Sequence, residues 1–113
     1  MKAIVLDGGY RQSAAIREAF AKKGIDAVVC STSNEFLAAL SNTPKYDTIY
    51  INAETWNRGR AIYDYFGIGL RLEDKPAVIY NADEKFAPVS DRRPNEQDRV
   101  FYKPSGLEIA LGG

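Results

Sequence analysis

Lys2-Ala3-Ile4-Val5-Leu6-Asp7-Gly8-Gly9 decides the fold. An apolar run of strand length ends in an acid, and two glycines break it before a segment of helical spacing. A strand that is apolar on both faces needs cover on both, which is usual in parallel sheets whose crossover helices lie on either side. The alternation continues outward from this strand. From Ser13 to Lys23, Ile16, Ala19 and Phe20 share one helical face, with Ser13 placed as a cap and Gly24 where a helix exits. Ile25 to Cys30 reads as a buried second strand. Thr32 and Glu35 have the spacing of a capping box ahead of Phe36, Leu37 and Leu40. Asp47 to Asn52, rich in β-branched and aromatic residues, predicts a third strand. Arg60 to Leu70 predicts a third helix, weakened by Gly59, Gly67 and Gly69. Ala77 to Tyr80 and Arg99 to Tyr102 predict a fourth and a fifth strand, and Ser105 to Leu111 a short last helix.

This pattern is α/β, and 113 residues form one domain over positions 1–113, long enough to bury roughly two thirds of the unfolded surface. Right-handed crossovers among five parallel strands point to a flavodoxin-like three-layer sandwich of strand order 2-1-3-4-5. One segment breaks the alternation. Between Ala82 and Asp98, Pro88 and Pro94 and the lack of apolar periodicity predict an irregular loop in place of a fourth helix.

Composition removes several function classes. The chain has no His and one Cys, so Ser-His-Asp and Cys-His catalysis, imidazole metal ligation and disulfides are excluded. Fifteen Lys plus Arg against fifteen Asp plus Glu give no net charge, which argues against a nucleic-acid partner held by phosphate neutralisation. No apolar stretch approaches membrane length and no signal-peptide core follows Met1, so a cytoplasmic location without membrane contact is expected. Cys30, in an apolar run, is expected to be a small buried hydrophobe.

In such sheets the ligand crevice lies beyond the carboxyl ends of the strands, here marked by Asp7, Asn52, Asn81 and Lys103. Around these residues the sequence resembles the receiver domain of two-component response regulators over nearly its whole length. The first strand of that family ends in an acidic pair, the third in the phosphorylated Asp, the fourth in Thr or Ser and the fifth in Lys-Pro. Lys2 to Gly8 is similar to the first with one acid, Asp7, and Gly8 in place of the other. Tyr46 to Asn52 is similar to the third with Asn52 at the acceptor position, and Pro76 to Ala82 to the fourth with Asn81 in place of the hydroxyl residue. Phe101-Tyr102-Lys103-Pro104 keeps the Lys-Pro.

The departures imply a degenerate site. A carboxamide is too weak a nucleophile to form an acyl phosphate, so Asn52 is not expected to be phosphorylated. The resemblance also implies a divalent ion, which prefers several anionic oxygen ligands. Only Asp7 remains of the acid set, with Glu54 near enough in sequence to add a carboxylate, and neither a metal nor another cofactor is expected. Asp7 and Lys103 are expected to pair across the crevice. The family's switch aromatic falls on Val100.

The resulting expectation is a non-phosphorylatable receiver-like module, not an enzyme, that binds a signalling or regulatory protein. The surface foreseen for that contact includes Trp56, Arg92, Arg93, Val100 and Tyr102. An alternative is a small-molecule or nucleotide binder using the Gly8-Gly9 loop ahead of the first helix, although that loop lacks the spacing of the known phosphate-binding motifs.

Overall fold

The computed structural model describes residues 1–9, 12–42, 45–58, 76–82, 99–103 and 106–112. In chain order these form β1 (Lys2–Leu6), α1 (Ser13–Ala21), β2 (Asp26–Cys30), α2 (Ser33–Asn42), β3 (Thr48–Asn52), α3 (Ala53–Arg58), β4 (Ala77–Ala82), β5 (Arg99–Tyr102) and α4 (Leu107–Ala110). The five strands make one parallel sheet of order β2-β1-β3-β4-β5, as the strand pattern foresaw. The expected third helix, Arg60 to Leu70, and residues 83–98 of the irregular segment lie outside the described residues.

Strand alternation divides the core in two. Ile4, Leu6, Ile49, Ile51 and Ile79 point to one face, where Phe36 and Ala39 of α2 and Ala53 and Trp56 of α3 cover them. Ala3, Val5, Tyr50, Val78 and Tyr80 point to the other, under Ile16 and Phe20 of α1 and Leu107 and Ala110 of α4. Each large apolar side chain buried in this way contributes about 1.5–3 kcal/mol relative to exposure. Phe20 meets Tyr50 edge-on, with ring centroids 4.7 Å apart. Cys30 is buried on the α2 side, and burial, with a smaller effect from the Glu35 carboxylate, pushes its thiol up to about 11.

Local signals account for the helix ends. Gly24 takes φ 74°, the left-handed conformation that lets the chain leave α1 and enter β2. The capping box forms around α2. Thr32 Oγ1 accepts from the Glu35 N–H at 3.2 Å, and Glu35 Oε2 accepts from the Ser31 N–H at 2.8 Å, one residue earlier than the usual return bond. Gln12, rather than Ser13, is the cap residue of α1, and Ser13 instead lies 3.2 Å from the Ser31 hydroxyl. Among the described residues no helix is long and apolar enough to cross a membrane.

Two elements differ from expectation. A helix starts directly after β3, at Ala53, ahead of the third helix expected from Arg60. β4 runs on to Ala82, past the expected end at Tyr80, through an irregularity in its pairing with β5 between Ile79 and Ala82. Asn81 sits in that irregularity with φ 58°. The extra residue shifts the alternation, so Ala82 faces the same core as Ile79.

Candidate functional site

The crevice lies at the carboxyl ends of the strands, where Asp7 follows β1, Asn52 ends β3, Asn81 is the penultimate residue of β4 and Lys103 follows β5. The β1–β2 ladder extends to Asp7, whose N–H donates to Cys30 O at 2.9 Å, and this fixes the backbone that carries the carboxylate.

Asp7 is buried, and both of its oxygens accept hydrogen bonds. Oδ1 accepts from the Gly9 N–H at 2.9 Å and from Asn52 Nδ2 at 3.2 Å. Oδ2 accepts from the Tyr80 hydroxyl at 2.5 Å. Tyr80 stands beside Asn52 in the β3–β4 register and shares its face of the sheet, so its ring runs through the α1-side core and its hydroxyl reaches the crevice. The other end of the Asn52 amide is also engaged, since Oδ1 accepts from the Glu54 N–H at 3.0 Å and caps α3. Only this orientation of the amide places a donor against the Asp7 carboxylate and an acceptor against the Glu54 N–H.

Gly8 packs too closely for any other residue. A Cβ there would lie 2.4 Å from the Ser31 carbonyl oxygen and 3.3 Å from Thr55 Cγ2. Its N–H donates to Thr55 Oγ1 at 2.8 Å, and Arg58 Nη2 approaches the same hydroxyl at 3.4 Å and Gly8 O at 3.5 Å. The N–H groups of Gly8 and Gly9 are therefore both turned to partners within the chain, Thr55 and Asp7, which weakens the reading of this loop as an anion cradle.

Glu54 does not join Asp7. It turns to Lys103, with Oε1 2.7 Å from the ammonium nitrogen. This corrects the expected pairing of Asp7 with Lys103. Asp7 is buried and met by neutral donors, whereas Lys103 is half-exposed within reach of the first turn of α3. Hydrogen bonding to Lys103, its positive charge, and a further hydrogen bond from Asn81 hold the Glu54 carboxyl below the usual carboxylate range. The pair is half-exposed.

Trp56 is also corrected. It was expected as a contact residue at the crevice margin, but it is 4% exposed and meets Phe36 edge-on at 6.4 Å between ring centroids. The early start of α3 turns its side chain inward. Val100 is partly buried against the α2-side core, and Tyr102 is 54% exposed at the end of the edge strand β5. Arg92 and Arg93 lie outside the described residues.

Sequence reasoning did not assign Tyr80, Thr55 and Arg58 to the site. Tyr80 neighbours Asn52 only through the β3–β4 register, which exists once the sheet has formed.

The divalent ion implied by the resemblance does not fit this donor set. Asp7 is the one carboxylate at its centre, Asn52 presents its nitrogen to Asp7 and its oxygen to Glu54, and Gly8 has no side chain and no room for one. Among the described residues no three His, Cys, Asp or Glu side chains converge on one point.

No protein-family model matches the chain, and neither does any curated protein. Solved structures do resemble it. A response regulator receiver domain protein (CheY-like) from Methanospirillum hungatei JF-1 superposes with a TM-score of 0.63 at 13% identity, covering 97% of this chain and 87% of that one. A response regulator receiver protein from Burkholderia phymatum gives a TM-score of 0.56 at 21% identity, covering 98% and 94% respectively. Strand order, helix placement and these likenesses agree that the chain has the fold of the CheY-like response regulator receiver domains.

Proposed function

We propose that this chain is a cytoplasmic receiver-like signalling module that takes no phosphoryl group, catalyses no reaction of its own and acts by binding a protein partner. The observation that carries the reading is the Asn52 amide. The sequence resemblance puts it at the acceptor position of a receiver, and both of its ends are engaged, by Asp7 and by the Glu54 N–H. An amide nitrogen, its lone pair delocalised into the carbonyl, is a poor nucleophile toward phosphorus, and the amide oxygen carries no full charge. The fit of the remaining donors argues in the same direction, since little oxygen is left to hold the ion that phosphoryl transfer requires.

The partner surface proposed is β5 with the segment that precedes it. Tyr102 offers an exposed aromatic on an edge strand, a residue type that often anchors protein contacts, and Val100 lies beside it. Arg92 and Arg93 in the preceding segment would add charge to that surface.

The test is exposure of the protein to a small phosphodonor and to a sensor kinase, read by intact mass. No phosphoryl adduct is expected. Beryllofluoride, which mimics an acyl phosphate on a competent receiver, should leave the backbone amides of Asp7, Asn52, Asn81 and Lys103 unmoved. An adduct on the native chain overturns the reading.

A further inference from the structure

The charged groups of the crevice are met from within the chain. Asp7, 6% exposed, is an acceptor-only group whose burial is costly unless donors or a cation compensate it, and three donors from Gly9, Asn52 and Tyr80 do so. Lys103 has the Glu54 carboxylate at 2.7 Å, and Asn81 hydrogen-bonds the same carboxylate. The two halves share a hinge point. The Asn52 side chain binds Asp7 with its nitrogen and the Glu54 backbone with its oxygen.

We propose that the crevice is self-ligated: the Asn52 amide and the Tyr80 hydroxyl hold Asp7 where a divalent cation would otherwise sit, and the Glu54 carboxylate holds Lys103 where a free oxyanion would otherwise sit. This rests on the reading of the chain as a receiver-like module and deepens it. Such a module keeps one arrangement of its strand ends without any ligand, so its control lies with the supply of its partner and not with a small ion.

The physical argument predicts a conversion by single substitutions. Asn52→Asp exchanges one nitrogen for oxygen at the same size and sets two carboxylate oxygens against each other at about the present 3.2 Å. Like charges this close cannot both ionise comfortably, and a cation between them relieves the conflict. Glu54→Gln keeps the size of an exposed side chain but removes the negative charge that competes with an external anion for the ammonium of Lys103.

Thermal unfolding is measured in EDTA and in millimolar MgCl2. The wild-type melting temperature should be the same in both. Asn52→Asp should melt lower in EDTA and regain part of the loss with Mg²⁺. Asn52→Ala, which removes the donor without adding charge, should melt lower in both alike. In parallel, amide shifts are followed against inorganic phosphate, where the wild type should stay silent and Glu54→Gln should show saturable shifts at Asn81 and Lys103. A wild type stabilised by Mg²⁺, an Asn52→Asp variant indifferent to it, or equal phosphate responses in wild type and Glu54→Gln overturns the proposal. If Asn52→Asp does not fold, the phosphate arm decides, because Glu54 is a surface residue. A wild type that responds to Mg²⁺ but takes no phosphoryl group would defeat self-ligation and leave the proposed function standing. A phosphoryl adduct on a chain indifferent to both ions would do the reverse.

Discussion

The Tyr80 hydroxyl donates to Asp7 Oδ2 from a ring that is buried on the α1 side of the sheet. Removing that hydroxyl leaves a carboxylate oxygen in a water-poor site without its donor, a loss of about 1–3 kcal/mol. Tyr80→Phe should lower the urea midpoint accordingly with an unchanged slope, because the ring and the surface exposed on unfolding stay nearly the same. An unaltered midpoint would show that the hydrogen bond contributes nothing net. Asp7 and Asn52 could be singled out from the sequence because polar residues that end apolar runs stand out. Tyr80 could not, since an aromatic within a strand reads as one more core residue. Asn81 was legible only as a residue out of pattern. Its left-handed backbone, which Asn tolerates better than β-branched Thr, gives a conformational reason for its identity.

At the scale of elements, Glu54 joins α3 to the chain just past β5 through Lys103. Its carboxyl is held below its ordinary range chiefly by that ammonium, so the folded state binds this proton less readily than the unfolded state does. The resulting stability is present above the unfolded-state value, about 4.3 for Glu, and is lost as pH falls through the lower folded-state value. Solvent screening of a half-exposed pair limits it to under about 1 kcal/mol. Glu54→Gln should therefore be slightly less stable than wild type near neutrality, and the two denaturation curves should converge in acid. A difference that persists at the lowest pH would assign the effect to packing. The start of α3 was not legible in sequence, because Asn52 serves at once as strand end and helix cap and leaves no turn residue between the two elements.

For the whole molecule, the sheet separates two cores, and Trp56 belongs to the one under α2 and α3. Trp56→Ala should cost about 3–5 kcal/mol by opening a cavity that Phe36 cannot fill alone. Equilibrium unfolding checks the magnitude, and a loss below about 1 kcal/mol would return Trp56 to the surface role first expected of it. The sequence by itself determined the α/β class, the five strands and their order, because apolar periodicity, helix exits such as Gly24 and the Thr32–Glu35 cap are encoded within a few residues of where they act. Only the tertiary structure decided which polar group meets which. Asn52 reaches Asp7 across 45 residues and Tyr80 across 73, and the choice of Glu54 rather than Asp7 for Lys103 follows from sheet register and side-chain depth. No local pattern carries that information, since hydrogen bonds and ion pairs act over a few ångströms of space that exist only once the strands have aligned.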